Sequence, residues 1–113
     1  MTQNRSKLID LLTGNVANAI VHQLLEAAID KREIAEKYHK EIKTSLETAE
    51  KYRSRINPVS TSLPEKDRTD IRKKVLNKVK AEMKSRMERG YRNLRLEDVD
   101  SYVDEALREL KVS

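Results

Sequence analysis

His22 and His39 are the only side chains in this sequence of the type that exchanges a proton near neutral pH, so general acid–base catalysis would have to be built on one of them. Neither belongs to an H-x-x-x-H pair, the spacing that sets two imidazoles on one helix face around a metal, and no metal site is expected. An exposed or half-buried structural histidine is the expectation for each. Without cysteine, thiolate catalysis, disulfides and thiolate-ligated zinc or iron–sulfur centres are excluded. Gly14 and Gly90 are isolated, so no glycine-rich phosphate loop is present and nucleotide hydrolysis by that route is excluded as well. The neighbouring carboxylates Asp98 and Asp100, and Asp104 and Glu105, read as an exposed acidic face, because acid–base work would need a burial that their pattern does not supply. No cofactor and no small-molecule substrate is implied.

Arg32 and His39 have six residues between them, a spacing that resembles the loose R-x(4–6)-H pattern of HEPN-type helical ribonucleases, where such a pair promotes phosphodiester cleavage. Glu33 is an imperfect match to the polar residue that commonly follows the arginine. Patterns this short recur by chance, and no other part of the chain adds to the resemblance. The expectation is a protein that binds and does not catalyse.

Positive charge gives a more extended signal. Residues 1–63 carry a net +2, residues 64–95 a net +7 from twelve basic and five acidic side chains, and residues 96–113 a net −4. Within the basic segment Lys66, Lys73 and Lys80 recur every seven residues and Lys84 follows one turn later. On a helix this row lies about a third of a turn from the centre of the apolar strip Ile71, Val75, Val79, Met83 and Met87. Such a row can track phosphates, since each neutralised phosphate releases condensed counterions. YRNLR adds Arg92 and Arg95 beside Tyr91, and KYRSR, ending at Arg55, adds Arg53 and Arg55, so the two Arg–Tyr clusters are expected to meet in the fold. The leading expectation is a face that binds nucleic acid, DNA or RNA, or docks within a nucleic-acid-processing complex. The competing one is a solvated face partly neutralised by the acidic C-terminal segment. Arg72 and Arg86 interrupt the apolar strip, either by laying their methylenes on its edge or because the strip receives a partner helix.

Helices must position these groups. Only two Gly and two Pro interrupt the chain, and with four Tyr and neither Phe nor Trp the core must come from aliphatic residues. The class is all-α: one domain, residues 1–113, folded as a small bundle of four or five helices. Leu8, Leu11 and Leu12 predict a short opening helix ended by Thr13-Gly14-Asn15. From there to Asn57, the positions Ala17, Val21, Leu24, Ala28, Ala35, Tyr38, Ile42, Ala49, Tyr52 and Ile56 share one heptad frame, with Lys31 and Ser45 as its polar members. Two readings follow. An unbroken coiled-coil-like helix would leave a seam, Val21 to Tyr52, that only a second chain covers, making a homodimer. The capping-box spacing Asp30-Lys31-Arg32-Glu33 would instead break it near Asp30.

Residues 58–63 form a linker, Pro64 opens a helix that Gly90 closes, and Val99, Tyr102, Val103, Ala106, Leu107 and Leu110 stripe a last helix begun by Glu97, Asp98 and Asp100. The alternative function is thus a protein–protein interaction module that self-associates through the heptad seam. No run of about 18 apolar residues and no signal-peptide pattern is seen, so a cytoplasmic protein with no membrane contact is expected. High Lys, Arg and Glu with only two Gln resembles thermophile usage.

Overall fold

Leu8, Ile9, Leu12, Val16, Ile20 and Leu24 keep a helical apolar period straight across Gly14. In the computed structural model, which describes residues 5–29, 31–56, 62–91 and 94–112, helix α1 runs unbroken over Arg5–Ala28. The expected stop at Thr13-Gly14-Asn15 therefore does not occur. A glycine inside a helix costs about 1 kcal/mol relative to alanine, whereas burying each of Leu12 and Val16 beside it contributes roughly 1.5–3 kcal/mol. The polar neighbours also stop competing with the helix: Thr13 Oγ1 donates to the Ile9 carbonyl at 2.7 Å and Asn15 Nδ2 to that of Leu11 at 2.8 Å. By length and composition alone α1 could cross a membrane, but most of that stretch is buried against the other helices.

The forty-residue helix does not form. The Ile29 N–H turns back to the Glu26 carbonyl at 3.3 Å, and α2 begins at Arg32 and continues to Ile56. This is where the second of the two readings breaks the chain. Asp30 itself, and with it the capping box, lies outside the described residues. Helix α2 folds back antiparallel on α1, so the two halves of the heptad frame face each other within one chain. Asn18 Nδ2 donates to Ser45 Oγ at 2.8 Å, which satisfies the polar member of the frame. His22 bridges the same pair of helices, with Nδ1 2.8 Å from the Asn18 carbonyl, Nε2 2.7 Å from Glu41, and its ring against Tyr38.

Of the linker, 58–61 lies outside the described residues. Leu63 is buried, Pro64 caps helix α3, Glu65–Glu88, and Gly90 closes it at φ +99°, a left-handed conformation that glycine adopts without a Cβ penalty. Ile71, Val75, Val79 and Met83 of α3 are completely buried. After a single 3₁₀ turn at Leu96–Asp98, helix α4 spans Val99–Glu109. Ion pairs set the directions: Arg5 with Asp67 and Lys74 with Asp10 place α3 parallel to α1, while Lys80 with Asp100 and Arg72 with Asp104 place α4 antiparallel to α3. The result is an up-down-up-down bundle in which α1 touches all three other helices and α2 packs chiefly on α1. One apolar cluster, Leu8 to Val112, draws on all four helices. The end of the bundle that holds Arg5, Ile56 and Lys111 is termed lower, and the end that holds Ala28, Arg32 and Gly90 upper.

Candidate nucleic-acid interface

The orientation of α3 is fixed by its apolar strip. Burying Ile71, Val75, Val79 and Met83 contributes of the order of 6–10 kcal/mol, far more than any lysine contact could oppose, and it turns residues on the far side of the helix toward solvent. Lys66, Lys73 and Lys84 accordingly stand exposed, with no carboxylate within ion-pairing distance among the described residues. At 100° per residue they fall within an arc of about 20°, with rises of roughly 10 Å and 16 Å between successive members. Their ammonium groups form an open line along the solvent side of α3.

The fourth member of the row differs. Lys80 is half-buried and lies 3.4 Å from Asp100 at the start of α4. The acidic last helix also takes Arg72, whose guanidinium meets both Asp104 oxygens, at 2.8 and 3.3 Å. That hydrogen-bonded pairing raises the Arg72 pKa and holds Asp104 below the usual carboxylate range. Hydrogen bonds to Asp70 and Asp10 raise the Lys74 pKa. Three of the nine cations of α3 are thereby tied up by neighbouring carboxylates, and the competing reading of a face partly neutralised by the acidic C-terminal segment describes two of them, Lys80 and Arg72.

The remaining sequence-derived candidates divide by position. Arg95 pairs with Glu97 at 3.1 Å and with Asp98 at 3.7 Å. Its pKa is raised chiefly by the bond to Glu97, whose own carboxyl is lowered by its backbone N–H and then by Arg95. Arg92 lies outside the described residues. Arg55 is exposed at the lower end, its guanidinium 5.9 Å from the Tyr52 ring. Arg53 cannot contact nucleic acid: it is 1% exposed, and Nε and Nη2 both donate to the Lys111 carbonyl, at 3.1 and 3.0 Å. Burial lowers its pKa. It clamps the segment after α4 onto the end of α2.

Nor do the two Arg–Tyr clusters meet. KYRSR sits at the lower end, where Arg5 donates to the Ile56 carbonyl, and Tyr91 follows the upper end of α3. The reason is the parallel course of α1 and α3, which keeps the whole length of α3 between them.

Sequence reasoning missed the local geometry of Tyr91. Gly90 N–H donates to the Met87 carbonyl and Tyr91 N–H to that of Arg86, both at 3.1 Å, the paired bonds of a Schellman cap. They fold Tyr91 back over the last turn, its ring centroid 5.5 Å from the Arg86 guanidinium. Gly90 read as a cap already implies this, since the residue after a Schellman glycine packs on the third residue from the helix end.

Of the seam positions, Val21, Leu24, Ile42 and Ala49 are buried and Ala28, Ala35, Tyr38 and Tyr52 half-buried within the single chain. The seam thus needs no second chain to cover it, because the break at 29–31 lets α1 and α2 cover each other. Arg32 and His39 both stand in solvent on the first turns of α2, Arg32 paired with Glu36 at 3.4 Å. No cluster of three or more His, Asp or Glu able to hold a metal ion occurs among the described residues. A groove between α1 and α4 is rimmed by Glu26, Glu105 and Glu109, which makes that side unfavourable for anions.

Fold and site together define a small up-and-down four-helix bundle with a basic α3 and an acidic groove between α1 and α4. Comparison with protein-family models, with curated proteins and with solved structures found no match to this chain.

Proposed function

We propose that the protein binds nucleic acid through the sugar–phosphate backbone, using Lys66, Lys73 and Lys84 of α3, either directly or as a subunit of a nucleic-acid-processing complex. The observation that carries the reading is that these three lysines share one solvent-facing arc, while Arg72, Lys74 and Lys80, outside it, are held by carboxylates. Contacts of this kind position a backbone and carry no base sequence. Three phosphate contacts give a fall of log K with log salt of slope about −2.7 for a duplex and about −2.1 for a single strand. Titration of labelled duplex and single-stranded oligonucleotides across a salt series tests this. Replacing the three lysines together by alanine is expected to remove most of the slope, and a wild-type chain that associates with neither ligand at low salt rules the reading out.

A second reading, a protein–protein module, is favoured by one observation: Ile34, in the first turn of α2, is 39% exposed beside the half-buried Ala35 and Tyr38. Light scattering distinguishes it, since self-association lost on Ile34→Lys supports it and a monomer at all concentrations counts against a second copy as the partner.

A further inference from the structure

Four tyrosines are available, and three have structural work. Tyr38 packs against His22, and Tyr52 and Tyr102 are half-buried against the core. Tyr91 is 44% exposed and belongs to no part of the apolar cluster. Its position is nevertheless fixed, because the two backbone bonds of the Schellman cap hold the residue and Arg86 lies against its ring at 5.5 Å. Arg86 is in turn held by Glu82 at 3.2 Å, so ring and guanidinium form a supported pair. Exposed cations stand on the same half of α3: Arg89 in the cap itself, Lys78 two turns back, and Lys84 on the far side of the helix from Arg86.

From this geometry we infer that Tyr91 is a stacking platform for an unpaired base, so that the nucleic acid the protein prefers is single-stranded. The inference rests on the backbone-binding reading above and deepens it. A partly exposed ring that a cap and an arginine hold in place accepts a nucleobase at little entropic cost, and stacking tolerates any base because every base has a π-face. In a duplex the bases already stack on one another, and an aromatic standing at the end of a helix presents nothing to their edges. A flexible strand differs: it can follow the lysine line along α3, round the upper end where the helix stops at Gly90, and lay one base on Tyr91 with Arg89 against the flanking phosphate. The C-terminal end of α3 carries the negative pole of its helix dipole, which is why the positive charge gathered there comes from side chains and not from backbone N–H groups.

The test uses the full chain and two labelled probes of equal length, an oligouridylate of about twenty nucleotides and a duplex, at low salt. Tyr91→Ala is expected to weaken single-strand binding by roughly 5- to 100-fold and to weaken duplex binding at least fivefold less. Tyr91→Phe, which keeps the ring, is expected to recover most of the loss, and Lys73→Ala to weaken both probes alike. If wild type binds and Tyr91→Ala costs nothing extra for the single strand, or if phenylalanine does not rescue, the stacking platform is wrong and backbone binding stands. If wild type binds neither probe, both fall. A circular dichroism melt of each variant separates loss of contact from loss of fold.

Discussion

Two short stretches that share a Tyr-Arg step, KYRSR on α2 and GYR after α3, place their tyrosines in opposite situations. In the first, Arg53 is drawn under the end of α4 and spends its donors on the Lys111 carbonyl, while Tyr52 leans on the core. In the second, Arg92 lies outside the described residues, and Tyr91 lies against Arg86 of the preceding helix, its ring centroid 5.5 Å from that guanidinium, and stays 44% exposed. The difference comes from what each stretch is attached to. KYRSR lies within a helix whose buried side is set by Ala49 and Ile56, and Arg53 falls on that side. Tyr91 follows a glycine that ends its helix, so its place is set by the cap and not by the apolar strip of α3. Composition marks both as basic–aromatic clusters, and only the register against the apolar strip tells a buried clamp from an exposed ring.

The contrast can be broken most strongly at Arg53. Arg53→Ala leaves the Lys111 carbonyl without these donors and opens a cavity under the C-terminal segment, and is expected to destabilise the fold by about 2–4 kcal/mol in a denaturant titration. Next come the two glycines, which test whether the upper cluster depends on its cap. Gly90→Ala forces a Cβ into a φ of +99° and is expected to cost about 1–2 kcal/mol and to displace Tyr91, whereas Gly14→Ala, inside α1 with open space where the Cβ would go, is expected to stabilise by about 0.5–1 kcal/mol.

The smallest effect concerns what holds each arginine. The carbonyl that binds Arg53 does not titrate, but Asp104, which binds Arg72, does, and its folded pKa is depressed. The pair's contribution is therefore complete above the ordinary carboxylate value and is lost as pH falls through the lower, folded one. Because both side chains are nearly half exposed, that contribution is under about 1 kcal/mol, and Asp104→Asn should remove this part of the acid dependence of stability.

Much of this architecture is legible in the residues themselves. The all-α class, the extent of α3, its Gly90 cap and the stripe of α4 follow from apolar period and punctuation, signals strong enough to survive packing. Gly14 misleads because a glycine has the same local preferences whether the apolar pattern stops at it or continues past it, and here it continues through Val16 and Ile20. Arg53 misleads for another reason. An arginine on a helix is assigned to solvent by type, and the acceptor that draws it inward is contributed 58 residues later, at Lys111. Lys80 and Arg72 belong to the same class, since the carboxylates that pair with them lie on a helix whose placement no local pattern specifies. Lys66, Lys73 and Lys84 were readable because their exposure depends only on the strip within their own helix.

From Arg32 to Glu41, three turns of α2, no residue is buried, and these turns lean on α1 from one side only. Little apolar area is given up when they lift away, so fraying there costs a small fraction of global unfolding. The lower half of α2, pinned by Ile42, Ala49, Arg53 and Ile56, stays in place meanwhile. The bundle therefore has a soft corner beside its upper end, and the last turns of α1 are the part of the core that solvent reaches first.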